Sequence, residues 1–431
     1  MAGAGLCAPG ASHLTPRHER AVGLAPGRPP STSSRERAPG DALCFPEGAP
    51  PLALYVHIPW CVRKCPYCDF NSHALRDTLP EAAYIDALLL DLEGEIQALD
   101  VPRPLISVFI GGGTPSLLSG SAVRRLIQGI RGHIQVLPEA EITLEANPGT
   151  SEASRFAEYL EAGVNRLSIG AQSLSDAQLA RIGRIHGAAE IRAAVAQARS
   201  AGFLNLNLDL MYALPNQSLS EARRDLAQAL ALAPEHLSYY QLTLEPHTPF
   251  HAAPPLLPVH DLAADMHQQG LGILAEAGYA QYEVSAYAQR QALQCQHNLN
   301  YWQFGDYLGI GAGAHGKVTR PLLGSVARRW KPRHPKAYLT ATGRGQEINA
   351  GECGLEPEHL VLEFAMNALR LNEGFDAALF ERHAGLPLTR IDPSVQRALA
   401  DGLLRRRGER VLATERGRRF LDDLVQYFAP A

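Results

Sequence analysis

From Pro51 to about Tyr282, short runs of aliphatic and β-branched residues alternate with longer stretches whose apolar positions recur every three or four residues. That alternation is the rhythm of βα units wound around a parallel sheet. Strands are predicted at 52–58, 106–110, 141–145, 165–169, 204–210 and 236–242, and helices at about 81–98, 120–134, 151–162, 187–201, 219–232 and 260–277. Six strands with helices between them predict an α/β fold, a partial (β/α)6 TIM-like barrel over residues 49–285. In such sheets chemistry gathers at the carboxyl ends of the strands.

The pattern changes on either side. Residues 286–354 form a connecting region, and after about 355 come two or three amphipathic helices, a basic hairpin at 403–414 and a last helix from about Arg416 to Tyr427. That order predicts a winged-helix-like domain over 355–431. Arg405, Arg406 and Arg407 sit at a turn, where a charge run is more often a solvated edge than a nucleic-acid contact, and the helix near 394–402 is not basic. Residues 1–48, rich in Pro, Gly, Ser and Arg without an apolar period, are expected to be a disordered extension. Their arginines suggest an organellar leader, but repeated prolines spoil the amphipathic helix such leaders need.

At 431 residues and 46% hydrophobic content the chain has room for one large and one smaller globular domain. A net charge of -4 gives no global attraction to nucleic acid or anionic membrane. No run approaches the roughly 18 apolar residues of a spanning helix, so a soluble, unexported protein is expected. Seven cysteines, three clustered and four scattered (Cys7, Cys44, Cys295, Cys353), suggest a reducing compartment rather than a disulfide framework.

The clustered three are Cys61, Cys65 and Cys68, in the run YVHIPWCVRKCPYCDF from Tyr55 to Phe70. A C-x3-C-x2-C loop can wrap one face of an iron–sulfur cubane while supplying three of its four usual thiolates. The open iron can then chelate S-adenosylmethionine (SAM) through its amine and carboxylate, the arrangement that precedes reduction of the sulfonium. A zinc site is the alternative, but zinc wants four closing ligands from C-x2-C pairs, and no second pair exists.

The other distinctive residues fall at predicted strand ends. Gly111-Gly112-Gly113-Thr114-Pro115 closes the second strand, where side chains of minimal size let backbone approach a ligand. The third ends in a carboxylate, Glu145, followed by Ala146-Asn147-Pro148. Gln172 follows the fourth, Arg184 lies in the next loop and Asp209 ends the fifth. An amide, a guanidinium and a carboxylate among apolar neighbours suit recognition of ribose, carboxylate and adenine. Each alone could be a satisfied core polar group.

With these residues in hand the chain resembles the radical-SAM family of oxygen-independent coproporphyrinogen III oxidase-like proteins, and within it the HemW-type haem chaperone branch, over about Leu52 to Ala429. The resemblance implies a radical-SAM barrel holding a [4Fe-4S] cluster on Cys61, Cys65 and Cys68, with SAM bound by Tyr55, Tyr67, Gly112, Gly113, Thr114, Glu145, Gln172, Arg184 and Asp209. Oxidases of the family carry a further cysteine two residues past the third ligand; this chain has Phe70, which counts against that activity. The motif His297-Asn298-Leu299-Asn300-Tyr301-Trp302 resembles the haem-binding element of the chaperones, with His297 as haem ligand or contact and Tyr301 and Trp302 as porphyrin-packing rings. His315, in a glycine-rich return, is a weaker candidate. The resemblance further implies haem as cargo, haem-accepting respiratory proteins as partners, a homodimer, and membrane association only through those clients. No nucleic acid is expected. The location implied is cytoplasmic, with the mitochondrial matrix as alternative. The competing activity is oxidative decarboxylation of coproporphyrinogen III.

Overall fold

The computed structural model describes residues 42–149, 153–343 and 348–430. Six parallel strands, β1 Leu52–Ile58, β2 Leu105–Gly112, β3 Val136–Ala146, β4 Arg166–Gln172, β5 Leu206–Tyr212 and β6 His236–Gln241, lie side by side in chain order. The helices between them, α1 Glu81–Gln97, α2 Gly120–His133, α3 Phe156–Ala162, α4 Ala188–Ala201 and α5 Leu219–Leu230, are joined after β6 by α6 His260–Glu276. Period two decides which side chains meet them. Leu52, Leu54, Val56 and Ile58 of β1 enter the large core shared with α1 and α2, while Tyr55 faces the other way, against Phe109 and Cys295.

The sheet extends further than six strands. Beyond β6 it adds β7 Ala280–Gln281 and β8 Ala286–Ala288. On the opposite side β9 Asp306–Ile310 pairs in parallel with β1, and β10 His315–Arg320, β11 Ser325–Trp330 and β12 Gly351–Gly354 continue it antiparallel. The result is a single twelve-stranded sheet. The stretch expected to be a connector thus supplies strands to the same sheet, and a short helix, α7 Gln296–Trp302, crosses against it. The reason is long-range pairing: Leu52 opposes Asp306, whose buried carboxylate binds Lys317 at 2.6 Å and Arg103 at 2.7 Å.

The C-terminal part begins with α8 Pro357–Ala368 and contains a small antiparallel sheet of Phe375–Asp376, Arg410–Ala413 and Leu404–Arg407. The predicted basic hairpin is present; the last helix is divided, Glu415–Arg419 and Leu421–Gln426 meeting at Phe420. Arg406 and Arg407 pair with Asp392 and Glu373, which makes the basic run a neutralised edge. One boundary needs correction. Leu43 and Phe45, assigned above to a disordered extension, are buried in this domain's core, and Cys44 donates its backbone N–H to the Gly385 carbonyl at 2.9 Å. The remainder of that extension, up to residue 41, lies outside the described residues. Among the described residues no helix is long and apolar enough to cross a membrane.

Candidate functional site

The loop that follows β1 carries Cys61, Cys65 and Cys68, and it closes over the carboxyl ends of β2 to β6. Between them lies a cavity of about 190 Å³. Its wall includes all three cysteines with Tyr67, Gly112, Gly113, Thr114, Glu145, Gln172, Arg184 and Asp209. Residues far apart in sequence therefore converge as expected. Two do not join them, Tyr55 and His297.

The thiols are partly exposed and free. Burial pushes the Cys61 thiol up and the Cys68 thiol up to about 11, so iron binding has to displace protons there. Arg184 places Nη1 3.8 Å from Cys65 Sγ, and Ser72 Oγ lies 3.8 Å from Cys68 Sγ. Among the described residues no three His, Cys, Asp or Glu side chains converge tightly enough to hold a single metal ion. Three thiols lining one cavity suit the corners of an iron–sulfur cubane.

The glycine triplet serves the chain before any ligand. Gly112 has φ +118°, and a Cβ there would meet His57 Cε1 at 2.7 Å and the Ile58 carbonyl at 2.9 Å. At Gly113 a Cβ would stand 2.5 Å from the Trp60 carbonyl. Small residues thus let β2 close against the start of the cysteine loop, and Gly113 N–H donates to Ile58 O at 2.7 Å.

Glu145 Oε2 accepts from Gly112 N–H at 2.9 Å. Burial, then the charge of Asp209, pushes its carboxyl up to about 8. Asp209, itself raised by burial, accepts from Asn207 Nδ2 at 2.8 Å. Neither carboxylate has a salt bridge among the described residues. Two buried acids with no salt-bridge partner, in a cavity whose wall also carries Arg184, fit the cationic groups of a ligand such as SAM.

Gln172 sits after a register slip in the β4–β5 pairing with φ +68°, a left-handed conformation uncommon for this residue type. The kink turns its amide to the cavity, where Oε1 accepts from Tyr240 OH at 2.7 Å. Arg184 Nη2 donates to Gly170 O at 2.6 Å and to Asn147 Oδ1 at 3.0 Å, while Asn147 Nδ2 donates to Thr114 Oγ1 at 2.9 Å. Asn147 and Tyr240 were not singled out in the sequence. Asn147 lay in the quoted strand-end motif, and Tyr240 in the alternation of β6.

Tyr55 lies behind the cavity, its hydroxyl in a 2.9 Å hydrogen bond with His57 Nδ1, whose Nε2 is 2.9 Å from Asn71 O in the cysteine loop. His297 is on α7, its ring 5.0 Å from Phe109 and 6.2 Å from Tyr55. Burial, then Arg166, pushes its pKa down to about 4, and its Nδ1 is buried without a partner. A neutral imidazole with an unused nitrogen suits a metalloporphyrin ligand. Trp302, expected to offer a ring face, is instead buried with Arg370 5.1 Å from its centroid, because the helix docks through Asn300 and Trp302. Tyr301 is half-buried beside Tyr307.

Comparison with known proteins gives two family matches, the Radical SAM superfamily over residues 55–229 and the HemN C-terminal domain over 355–420. The chain is 50% identical over 379 residues to "Heme chaperone HemW" of Escherichia coli K12, covering 88% of this chain and 98% of that one. It is 47% identical over 382 residues to the protein of the same name from Haemophilus influenzae, covering 88% and 98%. With the bovine "Radical S-adenosyl methionine domain-containing protein 1, mitochondrial" it shares 40% identity over 303 residues, 68% of each chain. Among solved structures, coproporphyrinogen III oxidase (HemN) from Escherichia coli superposes with a TM-score of 0.73 at 23% identity, covering 88% of this chain and 90% of that one, a likeness of fold.

Proposed function

The chain belongs to the HemW family of radical SAM proteins, and from that premise we propose that it is a haem chaperone, binding haem through His297 and delivering it to haem-requiring respiratory proteins. The observation that carries this reading is half-identity to a heme chaperone along 98% of that protein's length. Phe70 supports it from the site itself. An apolar ring lines the cavity at the position where the oxidases of the family carry a cysteine.

Membership of the radical SAM superfamily implies a [4Fe-4S] cluster and SAM. On this reading Cys61, Cys65 and Cys68 hold the cluster, which when bound supplies an iron free to take the amine and carboxylate of SAM. Glu145 and Asp209 then face the ligand's cationic and hydroxyl groups, Gln172 its base or ribose, and Arg184 its carboxylate. The backbone of Gly112 to Thr114 lines the amino end, Tyr67 covers the loop side, and Tyr55 supports the wall from behind. His297 offers a neutral nitrogen to haem iron. The cytoplasm is the proposed location, with the mitochondrial matrix as alternative, and homodimerisation and contact with membrane-bound clients belong to the same proposal.

Paired assays on one anaerobic, cluster-reconstituted preparation test it. Hemin binding that is lost in His297→Ala, with no protoporphyrinogen formed from coproporphyrinogen III and SAM, is the expected result. Clear porphyrinogen turnover would establish the decarboxylase in its place.

A further inference from the structure

Behind the cavity the inner face of the sheet is polar. Asn207 and Asp209, two residues apart on β5, share one face of the strand. Strand pairing sets Ser168 of β4 on one side of Asn207 and His236 of β6 on the other. Asp209 and Ser168 reach the cavity wall, while Asn207 and His236 are buried behind it.

Hydrogen bonds run on from there without a break. Asn207 Nδ2 donates to Asp209 Oδ1 and to Ser168 Oγ, each at 2.8 Å. Its Oδ1 accepts from Ser238 Oγ at 3.1 Å and lies 2.6 Å from His236 Nδ1. His236 Nε2 lies 2.8 Å from the hydroxyl of buried Tyr282, which accepts from Cys295 N–H at 3.1 Å. Cys295 immediately precedes α7, so the chain begins where the helix of His297 begins.

The direction of each proton follows from its partners. A backbone N–H only donates, so Tyr282 spends an oxygen lone pair on Cys295 and has its own O–H for His236. Asn207 Oδ1 only accepts, so His236 carries its hydrogen on Nδ1 and takes the Tyr282 hydroxyl at Nε2. Burial, then the charge of Arg166, pushes the His236 pKa well down, which keeps the ring neutral with that single hydrogen. Both hydrogens and both lone pairs of the Asn207 amide are thereby used, and turning it over would set its oxygen against the Asp209 carboxylate. Asp209 is offered donors by this face, Asn207 at Oδ1 and Ser168 Oγ, 3.5 Å away, at Oδ2. Donors linked in series polarise one another, so the remote ones strengthen the bond that reaches the acid.

Resting on the SAM reading above, we propose that Asn207, His236 and Tyr282 are positioning residues for SAM, a one-way chain of hydrogen bonds that holds the Asp209 carboxylate towards the ligand's cationic and hydroxyl groups. None of the three lines the cavity, and each acts through the next. Their effect is on charge. Burial raises the Asp209 carboxyl; Asn207 and Ser238 lead the groups that draw it back, ahead of Arg166 and Arg184, and Glu145 and Tyr240 are the acidic groups that feel it across the cavity. Weakening the chain leaves Asp209 protonated to higher pH, and a cationic ligand then has to displace that proton on binding.

SAM titration calorimetry on the cluster-reconstituted full chain, from about pH 6 to 9 and in buffers of differing ionisation enthalpy, tests this. Tyr282→Phe, which removes a single hydroxyl, should weaken SAM about fivefold at the acid end, the loss of one hydrogen bond, release more protons on binding than wild type, and close the gap as pH rises. His236→Leu should weaken SAM further, and His236→Gln, whose amide can donate to Asn207 and accept from Tyr282, should recover most of that loss. Tyr282→Phe gives the answer alone if His236→Leu fails to fold. A loss in Tyr282→Phe that is equal at every pH would mark a merely structural role and overturn the proposal, as would wild-type affinity and proton release in Tyr282→Phe. In either case a tenfold weaker binding in Asp209→Asn would leave the SAM reading standing. Undiminished SAM binding in Asp209→Asn would overturn both.

Discussion

The imidazole of His297 is held against the ring of Phe109, centroids 5.0 Å apart and 31° from coplanar. The residue proposed to take haem is therefore half-buried and gripped against a strand of the sheet, so that moving off Phe109 is expected to accompany binding. Phe109→Ala should loosen that grip. We expect faster hemin association in stopped-flow mixing at a stability cost of about 3 kcal/mol or more from the cavity created. Slower association would mean that Phe109 helps to present His297. Because the His297 pKa is pushed down to about 4, its nitrogen stays unprotonated from pH 5 to 8. Hemin affinity at this site should be flat across that range and fall only as pH drops through about 4.

The three cysteines of the loop should be jointly indispensable. Replacing any one of Cys61, Cys65 or Cys68 by Ala leaves two thiolates, too few to retain a cubane, so the brown absorbance of reconstituted protein should vanish. Cys295→Ala should keep it. That thiol is buried away from the cavity and hydrogen-bonds to Glu141 Oε1 at 3.3 Å. Iron and sulfide analysis of the four variants gives the answer, and loss of the cluster in Cys295→Ala would contradict the open-iron arrangement.

The core strands were legible because each is an apolar run set between turn signals. β1 appears at Leu52–Ile58 as predicted; β2 and β3 extend beyond their predicted limits, β4 and β5 lie one to three residues further along the chain, and β6 ends one residue early. The cysteine spacing and the strand-end polar residues located the cavity, since a parallel sheet brings all its carboxyl ends to one side. What local pattern could not show was pairing across distance. The parallel partnership of Leu52 with Asp306 gives no sign in either segment alone. Direction was equally hidden: alternation says that Tyr55 and His57 differ in face from Val56, and only the assembled sheet says that Tyr55 backs the cavity instead of lining it. In a Pro- and Gly-rich stretch, Leu43 and Phe45 were too few to register as a pattern, yet two apolar side chains suffice when a groove awaits them.

That segment carries a prediction of its own. A Cβ at Gly385, where φ is +69°, would lie 2.5 Å from Phe45 Cζ, so the ring is seated directly on the backbone of the C-terminal domain. Phe45→Ala should cost about 3–5 kcal/mol of that domain's stability. Calorimetry should show its transition moving to lower temperature, and limited proteolysis should cut first after residue 355. A single unshifted transition would show that the strap contributes little.

Glu145 offers a test with opposite signs in two measurements. Its carboxyl, raised by burial and by Asp209 from 4.5 to about 8, is neutral in the ligand-free protein at pH 6. A raised folded pKa contributes stability that is complete below the unfolded value and is lost as pH rises through about 8. Urea midpoints of ligand-free protein should fall between pH 5 and 8.5, by on the order of a few kcal/mol in unfolding free energy at most, and Glu145→Gln should flatten that slope. A cationic ligand reverses the preference, because it favours the ionised acid. SAM binding should therefore tighten as pH rises toward 8 and release a proton, measurable by calorimetry in buffers of differing ionisation enthalpy. Glu145→Gln should weaken SAM about tenfold or more while removing the proton release. Equal pH profiles in wild type and variant for both stability and SAM binding would show that this acid does not face the cofactor.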